Sequence, residues 1–325
     1  MVDKKYLIGV DLGGTWARVA LSDRKGQLVE KVSEKVDKTS PEAISAQLVR
    51  LTRVLCKRHC VDVTSLIGVG IASAGPLDMT KGVLINPPNL PFDVISLTDP
   101  LKQELKVPTC LINDCAGAAL GETTFGAAKN VENFVYITIS TGIGGGAIVN
   151  GTLLLGKDGN GHEVGHFVID YEGRLTCGCG KKGHWEAYCS GRNLPNYVRM
   201  RFNEINQTIV KNSLLYKNLQ GDLTRLAAAD LFFAAKRGDK LSLKLVEEIG
   251  ILNAAGFATA INAYDPSLMT VGGTVALKNE NAVLSPIKEH VNEYTINRVP
   301  DIMMTRLGED VGIYGAVAAA LKYLT

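Results

Sequence analysis

The sequence contains no run of about 18 consecutive apolar residues, so no segment of it reads as a membrane-spanning helix. The residues Met1 to Lys5 are charged and lead straight into a short strand pattern. They lack the apolar stretch and small-residue cleavage site of a secretory leader. Excess charge of either sign is also missing: 35 Lys and Arg stand against 33 Asp and Glu, a formal +2. That balance argues against nucleic acid as a partner. The densest basic stretch, Arg50 to Arg58, falls on an amphipathic helix pattern and reads as a solvated helix face. No low-complexity linker is present. The seven cysteines are Cys56, Cys60, Cys110, Cys115, Cys177, Cys179 and Cys189. An odd number without a leader points to a reducing compartment, and a cytoplasmic location is expected.

What is present is enough for real cores. Apolar residues make up 46% of 325 and charged residues 21%. That length suits two lobes of roughly 100–200 residues each. Tyr6 to Val10 is an apolar run entering Asp11-Leu12-Gly13-Gly14-Thr15, and a strand pattern resumes at Arg18 to Leu21. Strand, glycine turn and strand read as a β-hairpin. Ser40 followed by Pro41 marks a helix start, with Ile44, Leu48, Leu51 and Leu55 at helical spacing. Leu66 to Ile71 and Thr109 to Asn113 are expected strands, and Asp114 is expected to cap a small-residue helix through Leu120. Val135 to Ile139 then enters Ser140-Thr141-Gly142-Ile143-Gly144-Gly145-Gly146, and Ala147 to Val149 leaves it. This repeats the opening hairpin about 130 residues later and suggests a duplicated architecture. Helical patterns dominate Gly191 to Ala263. Leu268 to Val271 is a strand ending in Gly272-Gly273-Thr274, Ile302 to Thr305 is a last strand, and Gly312 to Leu324 a last helix. The alternation implies an α/β fold.

A nucleotide's phosphates need backbone N–H donors close at hand, without Cβ atoms in the way. Gly13-Gly14-Thr15 and Thr141-Gly142-Ile143-Gly144-Gly145 both meet that need, with Thr15 and Thr141 adding hydroxyls. Asp11 stands where a carboxylate could hold Mg²⁺. Each loop taken alone is equally a tight hairpin turn. The second contains G-x-G-G-G, but a strand follows it and not a helix, so it fails as a dinucleotide fingerprint. Asp114, at a strand's end and a helix's start, sits where α/β proteins place ligands, and is equally an ordinary N-cap. His166, Cys177, Cys179 and His184 lie within 19 residues. Tetrahedral Zn²⁺ takes four such ligands, and a metal-free loop with two unrelated thiols is the other reading.

These motifs together resemble the ROK family, which contains sugar kinases and transcriptional repressors. The resemblance rests on Asp11 to Thr15, Asn113-Asp114 and Ser140 to Gly146. It continues through Gly161-His162-Glu163-Val164-Gly165-His166, Cys177 to Glu186, and Leu307-Gly308-Glu309-Asp310-Val311-Gly312. It covers nearly the whole chain. It implies a two-lobed actin-like (ribonuclease H-like) ATPase fold. The small lobe would be residues 1–114, completed by helix 312–325. The large lobe would be 115–311, with a zinc loop at 161–186. It implies ATP-dependent phosphorylation of the 6-hydroxyl of a hexose or 2-acetamidohexose, with ATP and Mg²⁺ as cofactors and a homo-oligomer, dimer or tetramer, as the assembly.

The family pattern makes Asp114 the catalytic base. It places ATP against Asp11, Gly13, Gly14, Thr15, Thr141, Gly142 and Gly144, with adenosine near Gly272, Gly273 and Thr274. It assigns the sugar to Asn89, Asn113, Asp114, Glu163, His166 and Glu186. Its zinc pattern has one His and three Cys. His184 stands here for the third Cys, so a Cys₂His₂ site of His166, Cys177, Cys179 and His184 is expected, with a structural role. Glucokinases of the family carry a proline before the glycine matching Gly75, where this chain has Ala74. That leaves glucose and N-acetylmannosamine both open. A ROK repressor carries a helix-turn-helix domain before the first hairpin, and a hairpin beginning at Asp11 leaves no room for one. A non-catalytic sugar-binding protein has no need of two phosphate loops.

Overall fold

A computed structural model describes residues 5–325; the charged residues 1–4 lie outside the described part. The chain divides into two compact units. One takes the residues through Tyr136 together with Gly146–His162 and Thr305–Thr325; the other takes Ile137–Gly145 and Glu163–Met304.

The first unit is built on strands β1 (Tyr6–Leu12), β2 (Trp16–Asp23), β3 (Leu28–Lys35) and β4 (Val69–Ser73). Three short strands come next, β5 (Leu77–Asp78), β6 (Val83–Ile85) and β7 (Val94–Ser96), and then β8 (Thr109–Asn113). The main sheet has the order β3-β2-β1-β4-β8, and β5-β6-β7 form a small sheet of their own. β1 runs antiparallel to β2 and parallel to β4, which runs parallel to β8. The central strands are apolar along their length because both faces are covered. Ile8 and Val10 point into the cluster that holds Ile44, Leu48, Leu51 and Leu55 of the helix Pro41–Arg58. Leu7 points to the other face, against Val317 and Ala320 of the helix Val311–Leu324. Each such buried side chain contributes about 1.5–3 kcal/mol.

The expected helix start holds: Ser40 accepts from Ala43 N, and Pro41 opens the helix. Arg50, Arg53 and Arg58 of its solvated face pair with Glu34, Glu104 and Glu30. One sequence expectation is corrected and one strand is new. β4 is Val69–Ser73 and not Leu66 to Ile71, because Asp62 caps a short turn, Val63–Ser65, that leads into Leu66. β3, with Lys31 and Lys35 on its exposed face and Glu30 and Glu34 on its half-buried one, was not expected at all; it is an edge strand.

Strands β9 (Phe134–Ile139), β10 (Ile143–Val149), β11 (Thr152–Leu153), β12 (Leu268–Gly272) and β13 (Asp301–Met304) form a second sheet, in the order β11-β10-β9-β12-β13. Within the second unit β12 and β13 pair in parallel, Leu268 opposite Asp301. The helical stretch resolves into Leu194–Glu204, Gln207–Asn212, Leu214–Asn218, Ala228–Lys236 and the 25-residue Lys240–Tyr264. That long helix starts at Asp239, which accepts from Ser242 N. It buries Phe257 edge-on to Trp185, ring centroids 5.5 Å apart, and its Asn253 takes the Trp185 Nε1–H at 2.9 Å. No helix among the described residues is long and apolar enough to cross a membrane.

Candidate active site

In the first unit the C-terminal ends of three parallel strands stand level. Leu12 pairs with Ser73, and Ser73 with Asn113. Ser73 Oγ donates to Leu12 O at 2.9 Å, locking the first two ends together. The loops leaving these strands are therefore delivered to one edge of the sheet, where α/β folds present ligands. After Leu12 comes the turn Gly13–Thr15, closed by Gly13 N on Trp16 O at 3.0 Å. Gly14 lies against Asn89, so the first expected phosphate loop and one expected sugar residue are brought together.

After Asn113 comes Asp114, and here the sequence expectation is corrected. The cap of the helix Asp114–Thr124 is Asn113, whose Oδ1 accepts from Cys115 N at 2.9 Å and Ala116 N at 3.1 Å. Asn113 remains extended, so its side chain reaches the second and third amides, while Asp114 has already turned into the helix. The Asp114 carboxylate, bonded to Cys115 N through Oδ1, is thus not the helix's main cap. Burial first and the Asp11 charge second push its proton affinity above the ordinary carboxylate range.

Asp11 lies opposite Arg18 across the β1–β2 ladder, and Arg18 Nη1 meets Asp11 Oδ2 at 2.9 Å. Burial raises the Asp11 carboxyl and Arg18 pulls it back down. Two carboxylates, one raising the other, beside a glycine turn make a donor set that suits a hard divalent cation. Arg18 escaped the sequence reading; its signal is the hairpin register, which sets it directly opposite Asp11. Gly312, in the first turn of the last helix, also faces Asp11: a Cβ there would stand 2.8 Å from Asp11 Cγ.

In the second unit the turn between β9 and β10 is closed by Ser140 N on Gly142 O at 2.9 Å. Ser140 Oγ and Thr274 Oγ1 lie 3.0 Å apart, so the glycine-rich turn and Gly272-Gly273-Thr274 meet. Gly273 holds φ at +88°, a conformation that favours glycine. Thr141 and Glu163 are exposed and Gly142 and Gly144 half-buried. Glu186 Oε2 accepts from Ile143 N at 2.9 Å.

The same unit gathers the Cys/His set. His166 Nδ1 and His184 Nδ1 are 3.2 Å apart, Cys177 Sγ is 3.8 Å from His166 Nδ1, and Cys179 Sγ is 3.3 Å from His184 Nδ1. The four ligand atoms all lie within 4.8 Å of one another. Zinc bonds of about 2.3 Å to sulfur and about 2.0 Å to nitrogen give tetrahedral edges of about 3.3 Å between nitrogens and about 3.6 Å from sulfur to nitrogen. The side chains fit that tetrahedron. Burial pushes the Cys177 thiol up to about 12, so a cation is what would make it a thiolate. Burial, then His166, holds His184 below its usual range, in the neutral form a metal takes. The Nε2 of His166 faces Glu163 at 3.9 Å, so one ring can serve a metal through Nδ1 and a second partner through Nε2.

A family model described as the ROK family matches residues 7–323. The chain belongs to the ROK family. Among ROK relatives, a glucokinase of Pyrobaculum calidifontis is 36% identical over 318 residues, 98% of this chain and 95% of that protein. A ROK family glucokinase from Streptomyces griseus, solved in complex with glucose and AMPPNP, is 29% identical with a TM-score of 0.80, covering 98% of this chain and 99% of its own. A ROK hexokinase from Thermus thermophilus is 29% identical with a TM-score of 0.81 and 97% coverage of both chains. The α/β architecture is therefore the actin-like ATPase fold of the ROK sugar kinases.

Proposed function

We propose that this protein transfers the γ-phosphoryl group of ATP to the 6-hydroxyl of a hexose, with Asp114 as general base. The chain is an ATP-dependent sugar kinase. The observation that supports the assignment most is the level ending of β1, β4 and β8, which sets the Gly13–Thr15 turn and Asp114 at one sheet edge. Phosphoryl transfer asks mainly for positioning and charge neutralisation, and an acceptor for the hydroxyl proton. Asp114, raised above the ordinary carboxylate range, is suited to take that proton. Asp11 would hold Mg²⁺, which supplies charge neutralisation at the phosphates. Arg18 keeps the Asp11 carboxylate oriented.

The phosphates are assigned to Gly13, Gly14, Thr15, Thr141, Gly142 and Gly144, and the nucleoside side to Gly272 and Gly273. The sugar is assigned to Asn89, Asn113, Glu163, His166 and Glu186. A structural zinc on His166, Cys177, Cys179 and His184 would fix the loop that carries Glu163, His166 and Glu186. The lobe assignment, 1–114 with 312–325 against 115–311, belongs to the same proposal, as does a homo-oligomer. A cytoplasmic location is proposed because ATP is an intracellular donor.

Glucose is the first candidate substrate, since relatives 36%, 33% and 32% identical to this chain over nearly the whole length of both are glucokinases. N-acetylmannosamine is the second. Ala74 in place of a proline alters the loop beside the proposed sugar residues, and the loss of one small apolar contact costs only about 1–3 kcal/mol. Turnover of each sugar with NMR of the product is the test. Phosphate on O6 of glucose, with N-acetylmannosamine also turned over, is expected. Phosphate on another oxygen, or inactivity with both sugars, overturns the assignment.

A further inference from the structure

Two segments of the second unit meet at one residue, Ile143. The first, Glu163 to His166, carries His166; a Cβ on its Gly165 would collide with Ile143 O. The second, His184 to Arg192, begins with His184 and then makes three contacts with the glycine-rich turn. Glu186 Oε2 accepts from Ile143 N at 2.9 Å. Gly191 N donates to Ser140 O at 2.7 Å, and Arg192 N to Thr141 O at 3.1 Å. The N–H of Ile143 is thus held by one of these segments, and its carbonyl is packed against the other. A Cβ on Gly142 would lie 2.5 Å from Glu186 Oε2, so a side chain there would push that carboxylate out of its place. Glu186 also reaches back: Cys177 Sγ donates to its Oε1 at 3.5 Å. While Cys177 is a thiol, one carboxylate therefore touches the Cys/His loop with one oxygen and the turn with the other; with Cys177 a metal-bound thiolate, the link to the loop is the backbone from His184 to Glu186, whose Oε2 still holds the turn.

The segment can transmit position because it is anchored. Trp185, next to Glu186, is fully buried, edge-on to Phe257, and bonded through Nε1 to Asn253. A displacement of Glu186 is opposed by that packing on one side and by the loop on the other. The sequence reading assigns Glu186 only to the sugar; its place between the loop and the turn is a contact of residues 43 apart, which no local motif reveals.

We propose that Glu186 is a positioning residue that ties the Cys/His loop to the glycine-rich turn Thr141–Gly144, so that order in the turn depends on order in the loop. The two loops then act as one device. If the turn holds phosphates, losing the metal weakens nucleotide binding and not only sugar binding. That consequence rests on the phosphate and zinc readings; the tie itself does not.

The experiment is hydrogen exchange of the turn amides in intact protein, as Glu186→Gln, Glu186→Ala and wild type, with the metal content of each preparation measured alongside. Gln keeps an acceptor for Ile143 N–H, whereas Ala removes it. Exchange at Ile143 is expected to quicken about tenfold or more in Glu186→Ala and to stay near wild type in Glu186→Gln, as befits loss of one charge-assisted bond. Protection of the Trp185–Asn253 region should be unchanged in both, which separates a local effect from general unfolding. Chelation of wild type should loosen the same turn amides. Unchanged exchange at Ile143 in Glu186→Ala overturns the tie. Metal-containing wild type whose turn ignores chelation overturns the dependence on the loop. Wild type without metal refutes the zinc reading and leaves the tie to be decided by the Ala and Gln variants.

Discussion

Gly312 lies directly against Asp11: a Cβ on the glycine would stand 2.8 Å from the Asp11 Cγ and 3.0 Å from its Oδ2. The glycine is the second residue of the last helix and the aspartate the last but one of β1, so the helix start and the proposed Mg²⁺ carboxylate share one space. Arg18 pins the other side of that carboxylate, which leaves it little freedom to move aside. In Gly312→Ala the helix gains about 1 kcal/mol of propensity, while the added methyl costs about 1–3 kcal/mol of crowding. The two nearly offset. The expected result is a Tm within a few degrees of wild type beside a fall of at least about tenfold in kcat/KM with a raised Mg²⁺ requirement. Scanning calorimetry and a Mg²⁺ titration of turnover check it; unchanged Mg²⁺ dependence contradicts the role given to Asp11.

Asp114→Asn separates catalysis from stability. Turnover should fall by roughly 10²–10⁴, the worth of general-base assistance. Stability should move the other way. The folded-state proton affinity of Asp114 is raised by burial and by Asp11, so folding penalises the charged form. That penalty is absent below the unfolded carboxylate value of 3.8, accrues as pH rises past it, and is complete above the raised folded value. The Asn variant should therefore have the higher Tm at pH 7–8, with the gain shrinking toward pH 4. Asn113 keeps the helix cap in both proteins. A kcat loss under tenfold rules Asp114 out as the base.

Much of this site is legible in the sequence, and the reason is range. The first glycine turn is closed by residues three apart, Gly13 and Trp16, and the helix start at Ser40 by its own third residue. The Cys/His set spans a single loop, so its four members are legible as neighbours, while the zinc reading itself rests on the family pattern. The strand Thr109–Asn113 is apolar and bounded by a proline and an acid, and its ends match the expected ones to the residue. What escaped depends on distant partners. Asn113 and Asp114 are equally good capping residues, and only the backbone at Asn113 decides between them. The buried Glu122 carboxylate bonds Thr305 Oγ1, a residue 183 positions away. Strands β5 to β7, two or three residues each, are too short to show a period of two.

The proposed metal centre predicts about one zinc per chain in protein purified without added metal. Elemental analysis counts it. Cobalt substitution should give the intense visible bands of a tetrahedral site with sulfur ligands. His184→Ala removes one ligand and should lower the metal content and hasten its release to a chromophoric chelator. A fully active protein holding substantially less than one zinc contradicts the centre.

The most direct measurement is ADP formation by the purified protein with ATP and Mg²⁺, across glucose, mannose, fructose, N-acetylglucosamine and N-acetylmannosamine, each against a sugar-free control. Release that depends on sugar, strongest with glucose and lost in Asp114→Asn, is the expected result. No sugar-dependent ADP release from folded, zinc-loaded protein contradicts the assignment of this chain as a sugar kinase.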